Sequence, residues 1–180
     1  MNELIKKYKE VVVPQMKEKF GYKNDLAVPR IEKVTLNVGI SSSNKDTQFI
    51  KAIEESLTSI TGQRPVKTLA KKSISSFKIR RGMVVGYKVT LRGKKMYDFI
   101  YKLINIALPR VRDFWGISLK SVDKQGNLTL GFKENIVFPE INPSKVEKFH
   151  GLEVTITTSA KTREEGLTLL KLLGFPFKEK

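Results

Sequence analysis

Residues 30–40 read RIEKVTLNVGI, and from Lys33 onward polar and apolar side chains alternate without a break. Val34, Leu36, Val38 and Ile40 fall on one face, and Lys33, Thr35, Asn37 and Gly39 on the other. Successive side chains of an extended chain point to opposite sides, so a period of two predicts a strand buried on one face and wet on the other. The pattern returns in VVGYKVTLRG, residues 84–93, with Val85, Tyr87, Val89 and Leu91 inward and Lys88, Thr90 and Arg92 outward. It returns again in LEVTITTSA, residues 152–160, where Leu152, Val154, Ile156 and Thr158 oppose Glu153, Thr155, Thr157 and Ser159. Two shorter strands are expected, one in PVKTLA (65–70) and one carrying Leu128, Leu130 and Phe132 inward after a turn at Gly126.

Helical spacing fills the intervals. Leu4, Ile5, Tyr8, Val11, Val12 and Met16 form an N-terminal stripe within residues 1–22, with a kink or break expected near Val13 because Pro14 lacks a backbone donor. Phe49, Ile50, Ile53, Leu57 and Ile60 mark a second helix, stopped by Gly62 and Pro65. Met96, Phe99, Ile100, Leu103, Ile104, Ala107 and Leu108 mark a third, ended by Pro109, and Arg163–Leu173 a last one burying Leu167, Leu170 and Leu173. SSSNKD (41–46) reads as a loop, residues 70–83 as a long, mobile, basic hairpin loop without a settled period, and residues 114–150 as an irregular excursion. Strands with one polar face, interleaved with helices, predict an α+β fold: an antiparallel-dominated sheet with helices on one face, ferredoxin-like in its split βαβ connections, plus the N-terminal helix. The whole chain, 1–180, reads as one domain.

Charge narrows the partner. The chain carries 34 Lys and Arg against 18 Asp and Glu, a net +16. Ser56 to Tyr97 is a run of 42 residues with eleven basic side chains and no acid, while the other 138 residues contribute only +5. One concentrated basic block on an otherwise balanced chain indicates a polyanion met on one surface. Nucleic acid fits better than a membrane, because the block is strand-like where a membrane-surface segment would be an amphipathic helix. No apolar run reaches the ~20 residues of a membrane span, and MNELIKKYKE at the N-terminus lacks the apolar core of a signal peptide. With no Cys, a cytoplasmic protein without disulfides or thiolate metal sites is expected.

The outward strand residues would assemble into one polar surface of Lys33, Thr35, Asn37, Lys88, Thr90, Arg92, Thr129, Thr155 and Thr157. Hydroxyls, an amide and cationic groups suit phosphates, 2′-hydroxyls and base edges. No aromatic lies on that face, so it suits a folded RNA more than a splayed single strand. Threonine is also an ordinary solvent-face strand residue, and it is the basic block beside it that favours RNA. Catalytic chemistry finds no footing. His150 is the only histidine and reads as a surface loop residue, no Cys/His cluster or phosphate-binding Gly-rich loop occurs, and the Glu54–Glu55 and Glu164–Glu165 pairs read as solvated helix faces. No catalytic residue, metal site or cofactor is expected. Two further readings, an RNA-modifying enzyme on the same scaffold and a nonspecific nucleic-acid chaperone, lack a cofactor motif in the first case and make the polar face irrelevant in the second.

Seven blocks carry a resemblance. VPRIEKVTLNVG, ITGQRPVKTLAKKSISSFKIRRG, KVTLRG, LPRVRDFWGI, ENIVFPEI, GLEVTITTSAKTREEG and LLGFPF, in this order from the N-terminal helix to the end, closely resemble the bacterial large-subunit ribosomal protein five family, which binds 5S ribosomal RNA. The resemblance implies a non-enzymatic structural constituent of the large subunit that helps attach 5S rRNA to 23S rRNA in the central protuberance. It also implies a loop on P-site tRNA and an intersubunit bridge to small-subunit head protein thirteen, with no membrane and no obligate homo-oligomer. Carried over by position, it implies 5S rRNA contacts at Asn37, Gln63 and Thr90, joined on the polar face by Lys33, Thr35, Lys88 and Arg92. Gln63 also has the position of a simple cap or turn residue. The tRNA loop would be residues 70–83, with Lys71, Lys72, Lys78, Arg80 and Arg81 on phosphates and Ser73, Ser75 and Ser76 donating hydrogen bonds. Phe77 would either stack on RNA or, slightly favoured, anchor the loop to its own domain. The bridge is expected within Phe114 to Pro143. NVGISSS lacks a second glycine soon after Gly39, and Met83 and Val84 stand where another turn residue would be expected.

Overall fold

Pro14 shapes the first element. The computed structural model describes residues 3–40, 47–143 and 149–178, and begins with α1 (Glu3–Lys7), a π-helical turn (Tyr8–Val12) and α2 (Val13–Phe20). The proline ring crowds the preceding turn, and widening that turn to π spacing lets the helix pass without a break: the Val13 N–H donates to the Tyr8 carbonyl five residues back. The extra residue shifts the stripe, so Leu4, Val12 and Met16 are buried while Val11 is left exposed. The third helix ends the same way. α4 (Gly93–Lys102) relaxes into a π turn (Leu103–Ala107) and a final 3-10 turn (Leu108–Arg110) that holds Pro109.

Five strands, β1 (Ile31–Gly39), β2 (Val66–Leu69), β3 (Val84–Leu91), β4 (Leu128–Phe132) and β5 (Leu152–Thr158), form one open antiparallel sheet in the order β2-β3-β1-β5-β4. α3 (Thr47–Thr61) connects β1 to β2 with β3 between them in the sheet, and α4 begins the connection from β3 toward β5 with β1 between them. These are the two interleaved βαβ units of the split type, with β4 added as an edge strand beside β5. The α+β sheet expected from the alternating strands is thus present, with the N-terminal helix at residues 3–20. Val34, Leu36, Val38, Tyr87, Val89, Leu91, Val154 and Ile156 are all buried, as the period of two requires.

The chain divides into two compact units: Met1–Val34, Leu91–Leu130 and Thr155–Lys180 in one, Thr35–Thr90 and Gly131–Val154 in the other. The first packs α1, α2, α4 and α5 (Arg163–Leu173) around Met16, Phe99, Ile100, Leu103, Leu169 and Leu170. One expected core residue is misplaced: Leu167 is half-buried, and Leu169 is buried with Leu170 and Leu173. Gly166, Leu169, Leu170 and Leu173 are spaced to share one helical face, and Leu167 falls at its margin. The second unit packs α3, through Ile53, Leu57 and Ile60, with Leu36, Val38, Tyr87, Val89 and Phe138.

Residues 70–83 are held by their own backbone hydrogen bonds. Ala70 N–H donates to Met83 O at 2.9 Å and Gly82 N–H to Ala70 O at 2.9 Å, closing the base. Ile74 and Ile79 exchange both backbone hydrogen bonds, at 2.9 and 3.1 Å, across a tight turn with Lys78 at φ +52°. The segment is a short hairpin with one bridged pair, Ile74 and Ile79. The SSSNKD loop and residues 144–148 of the 114–150 excursion lie outside the described residues.

Candidate nucleic-acid interface

The candidate residues of the second unit are placed by β1, β3 and the end of α3. Asn37 is exposed on β1, with Thr35 half-buried two residues before it. On β3, Lys88 is exposed and Thr90 half-buried, while Tyr87 and Val89 turn inward. Gln63 follows the last turn of α3, where its backbone N–H donates to Thr61 Oγ1 at 3.3 Å. Its side chain then reaches β3: Gln63 Nε2 donates to the Thr90 carbonyl at 3.3 Å. The structure therefore brings together Gln63 and Thr90, two residues 27 positions apart that sequence reasoning linked only through the resemblance. The cap-or-turn reading of Gln63 is thus seen in the bond from its N–H to Thr61.

Close packing holds β3 against its neighbours. Gly86 is buried, pairs with Thr68 of β2, and a Cβ added there would lie 2.5 Å from the Val38 carbonyl oxygen and 3.0 Å from Thr68 Oγ1. Only glycine permits this approach, and the register shift between Thr68 and Leu69 accompanies it. Val38 directly follows Asn37, so Gly86 sets the distance between the strand bearing Asn37 and the strand bearing Lys88 and Thr90.

Glu54 organises the neighbouring edge. It accepts from Arg64 Nε at 3.1 Å through Oε1 and lies 3.4 Å from the Tyr87 hydroxyl through Oε2. Burial, together with the Glu54 charge, raises the Tyr87 pKa and keeps the phenol a donor. The expectation of a solvated Glu54 is therefore corrected; the buried phenol needs a partner, and the carboxylate supplies one while tying down the arginine beside Gln63.

Lys71, Lys72, Ser73, Ser75, Ser76, Lys78, Arg80 and Arg81 all stand exposed on the 70–83 hairpin. Ser73 has an internal duty, since its Oγ accepts from the Arg81 N–H at 3.0 Å. Phe77 is 61% exposed, so it does not anchor the hairpin to its own domain as expected. In the first unit, Lys33 is half-buried, Arg92 is exposed at the N-cap position of α4, and Thr129 and Thr155 face each other with hydroxyls 3.4 Å apart beside the half-buried Thr157.

Comparison with known proteins finds sequence matches along nearly the whole length of the chain. Residues 24–80 match the family described as ribosomal protein L5, and residues 84–177 match the model of the C-terminus of the same ribosomal family. The chain is 54% identical over 179 residues to the large ribosomal subunit protein uL5 of Halothermothrix orenii, covering 99% of this chain and 100% of the relative. Identity to the uL5 proteins of Dictyoglomus thermophilum and Desulfotalea psychrophila is 54% and 50%, again over 99% of this chain and 100% of each relative. The chain belongs to the ribosomal protein L5 family. This is a family of ribosomal structural proteins and not of enzymes. Among the described residues no group of three or more potential metal ligands forms, and no helix is long and apolar enough to cross a membrane.

Two features of this L5-family chain escaped the sequence. His150 is buried, not on the surface: Nε2 lies 2.7 Å from Ser56 Oγ and 3.1 Å from Asn135 Nδ2, and Nδ1 lies 3.1 Å from the Gly151 carbonyl. The carbonyl assigns the proton to Nδ1, leaving Nε2 to accept from Asn135. Burial lowers the His150 pKa, opposed by the bond to Gly151, so the ring is held neutral. Nothing in the spacing of Ser56, Asn135 and His150 signals their meeting. The second is Glu165, expected to be solvated: with Thr162 it forms a capping box on α5, and it accepts from the Tyr22 hydroxyl at 2.6 Å. Partial burial would raise its pKa, but the hydrogen bonds from Tyr22 and from the Lys161 and Thr162 N–H groups prevail and lower it. Here a signal was present in the sequence, since Thr162 and Glu165 stand three apart before an apolar run.

Proposed function

We propose that the protein is a non-enzymatic structural constituent of the large ribosomal subunit, and that the Asn37–Gln63–Thr90 surface binds 5S rRNA and helps attach it to 23S rRNA. The observation that carries the proposal is the placement of Gln63 against Thr90 on the open strand face that also presents Thr35, Asn37 and Lys88, beside the acid-free run of residues 56–97. Amide and hydroxyl groups held at fixed spacing by β1 and β3 read shape and 2′-hydroxyls, and the lysines neutralise phosphates. Lys33, earlier on β1, and Arg92, just after β3, add cationic charge. On the same reading, the 70–83 hairpin meets P-site tRNA. Its exposed Lys71, Lys72, Lys78, Arg80 and Arg81 face phosphates, Ser75 and Ser76 donate hydrogen bonds, and exposed Phe77 is free to stack. The bridge to small-subunit head protein thirteen falls within Phe114 to Pro143.

The test is binding of folded 5S rRNA by wild type and by Asn37→Ala/Thr90→Ala. Leaving a buried RNA group unpaired costs about 1–3 kcal/mol, so the variant should bind at least several-fold more weakly at equal salt. A nonspecific chaperone would show no difference, because the substitutions leave the charge unchanged.

A further inference from the structure

We propose that Trp115 and its basic flank form a second RNA contact, a stacking site for an unpaired nucleotide. Trp115 is the single tryptophan of the chain and is 81% exposed. A lone exposed apolar residue by itself needs no explanation, but this one stands on a braced loop rich in cations. Its neighbours are fixed: Phe114 is half-buried and Ile117 buried, and Ile117 N–H donates to Pro176 O at 2.7 Å while Lys178 N–H donates to Ile117 O at 2.9 Å. Gly116, at φ +99°, lies so close to the C-terminal segment that an added Cβ would sit 2.9 Å from the Lys178 nitrogen. Arg163 Nη2 donates to Leu119 O at 2.6 Å, securing the far side. The backbone on the C-terminal side of the indole is therefore tied down, Phe114 is half-buried on the other, and the ring is exposed.

The surroundings select the partner. Arg110, Arg112, Lys120, Arg163 and Lys178 are exposed along this loop and the segments bonded to it, outnumbering the exposed acids there, Asp113, Asp123 and Glu164. An exposed aromatic ring on a braced, cation-rich loop is an arrangement on which single-stranded bases stack, with the charges holding the backbone. It supplies what the polar strand face lacks, an aromatic platform. A protein partner would have to be strongly acidic to tolerate the same charges. The inference rests on the RNA-binding reading above but not on the choice of 5S rRNA.

Because Trp115 is the only tryptophan, its emission reports on this site in the unaltered full-length chain. A short oligoadenylate at low salt should quench that emission in step with binding measured by anisotropy of labelled RNA. Trp115→Ala should weaken oligoadenylate binding by roughly 5- to 150-fold, the range of one base–aromatic stack, with Trp115→Phe in between and thermal unfolding unchanged in both. Unchanged emission at saturating RNA, or equal affinity of Trp115→Ala and wild type, overturns the proposal. So does emission that ignores RNA but shifts to the blue with a small-subunit head protein, which assigns the loop to a protein contact. Asn37→Ala/Thr90→Ala keeps the quenching even where it loses 5S rRNA, so the two readings fail separately.

Discussion

Replacing Gly86 by alanine tests whether strand packing sets the spacing of the interface. A Cβ at Gly86 would meet the Val38 carbonyl oxygen at 2.5 Å and Thr68 Oγ1 at 3.0 Å. The first contact is with backbone, which cannot rotate away, so β1 and β3 must part locally. Inserting one methyl into a packed interior costs about 1–3 kcal/mol. Parting the strands also endangers the bond from Ile40 N–H to Val85 O, 2.9 Å long, worth roughly 0.5–1.5 kcal/mol. The sum is about 1.5–4.5 kcal/mol, which for a chain of this size lowers the melting temperature by roughly 3–18 °C. Urea unfolding followed by circular dichroism should show a lower midpoint with an unchanged slope. Because Val38 adjoins Asn37, the folded variant should also bind 5S rRNA more weakly. A midpoint within error of wild type would refute the claim that glycine is required here, and weaker stability with unaltered RNA affinity would break the link between this packing and the interface.

Three further outcomes follow from the structure. The neutral, buried His150 has a folded-state pKa below its unfolded value of about 6.5, so the unfolded chain gains the proton first; stability should be level above that pH and fall as pH drops below it, and a His150→Gln variant should lose this part of the slope in denaturant titrations. Thr162→Ala removes the cap of α5, whose side chain accepts from the Glu165 N–H at 3.3 Å, and should cost about 1 kcal/mol in the same unfolding assay. Phe77→Ala should leave the melting temperature unchanged, since the ring is 61% exposed, while weakening binding to tRNA.

The longer strands were legible because each is wet on one face: Val34, Leu36 and Val38, or Tyr87, Val89 and Leu91, declare the inner side by alternation alone. Helix ends were legible where proline or glycine enforces them, yet the π turns before Pro14 and Pro109 were not, because a sequence shows that a helix must adjust and not how. Of the candidate interface, the polar identity of Asn37 and Thr90 could be read from their strand parity. The reach of Gln63 to the Thr90 carbonyl could not, because it depends on how α3 ends beside β3. His150 was misread for a related reason: its partners Ser56 and Asn135 lie 94 and 15 residues away, and only the fold unites them. The exposure of Trp115 likewise comes from a loop bonded to the C-terminal segment, a contact without a periodic signature.

The most direct measurement is a filter-binding titration of the wild-type protein against folded 5S rRNA, with generic duplex RNA as competitor, at low and near-physiological salt. Neutralising six to ten phosphates weakens any such complex by roughly 10³–10⁵ between these conditions, so charge alone leaves little binding at the higher salt. If the strand face reads 5S rRNA, the complex at higher salt resists the competitor. If duplex RNA displaces 5S rRNA in proportion to its concentration at both salts, the protein binds by charge, and the role given to Asn37, Gln63 and Thr90 is wrong.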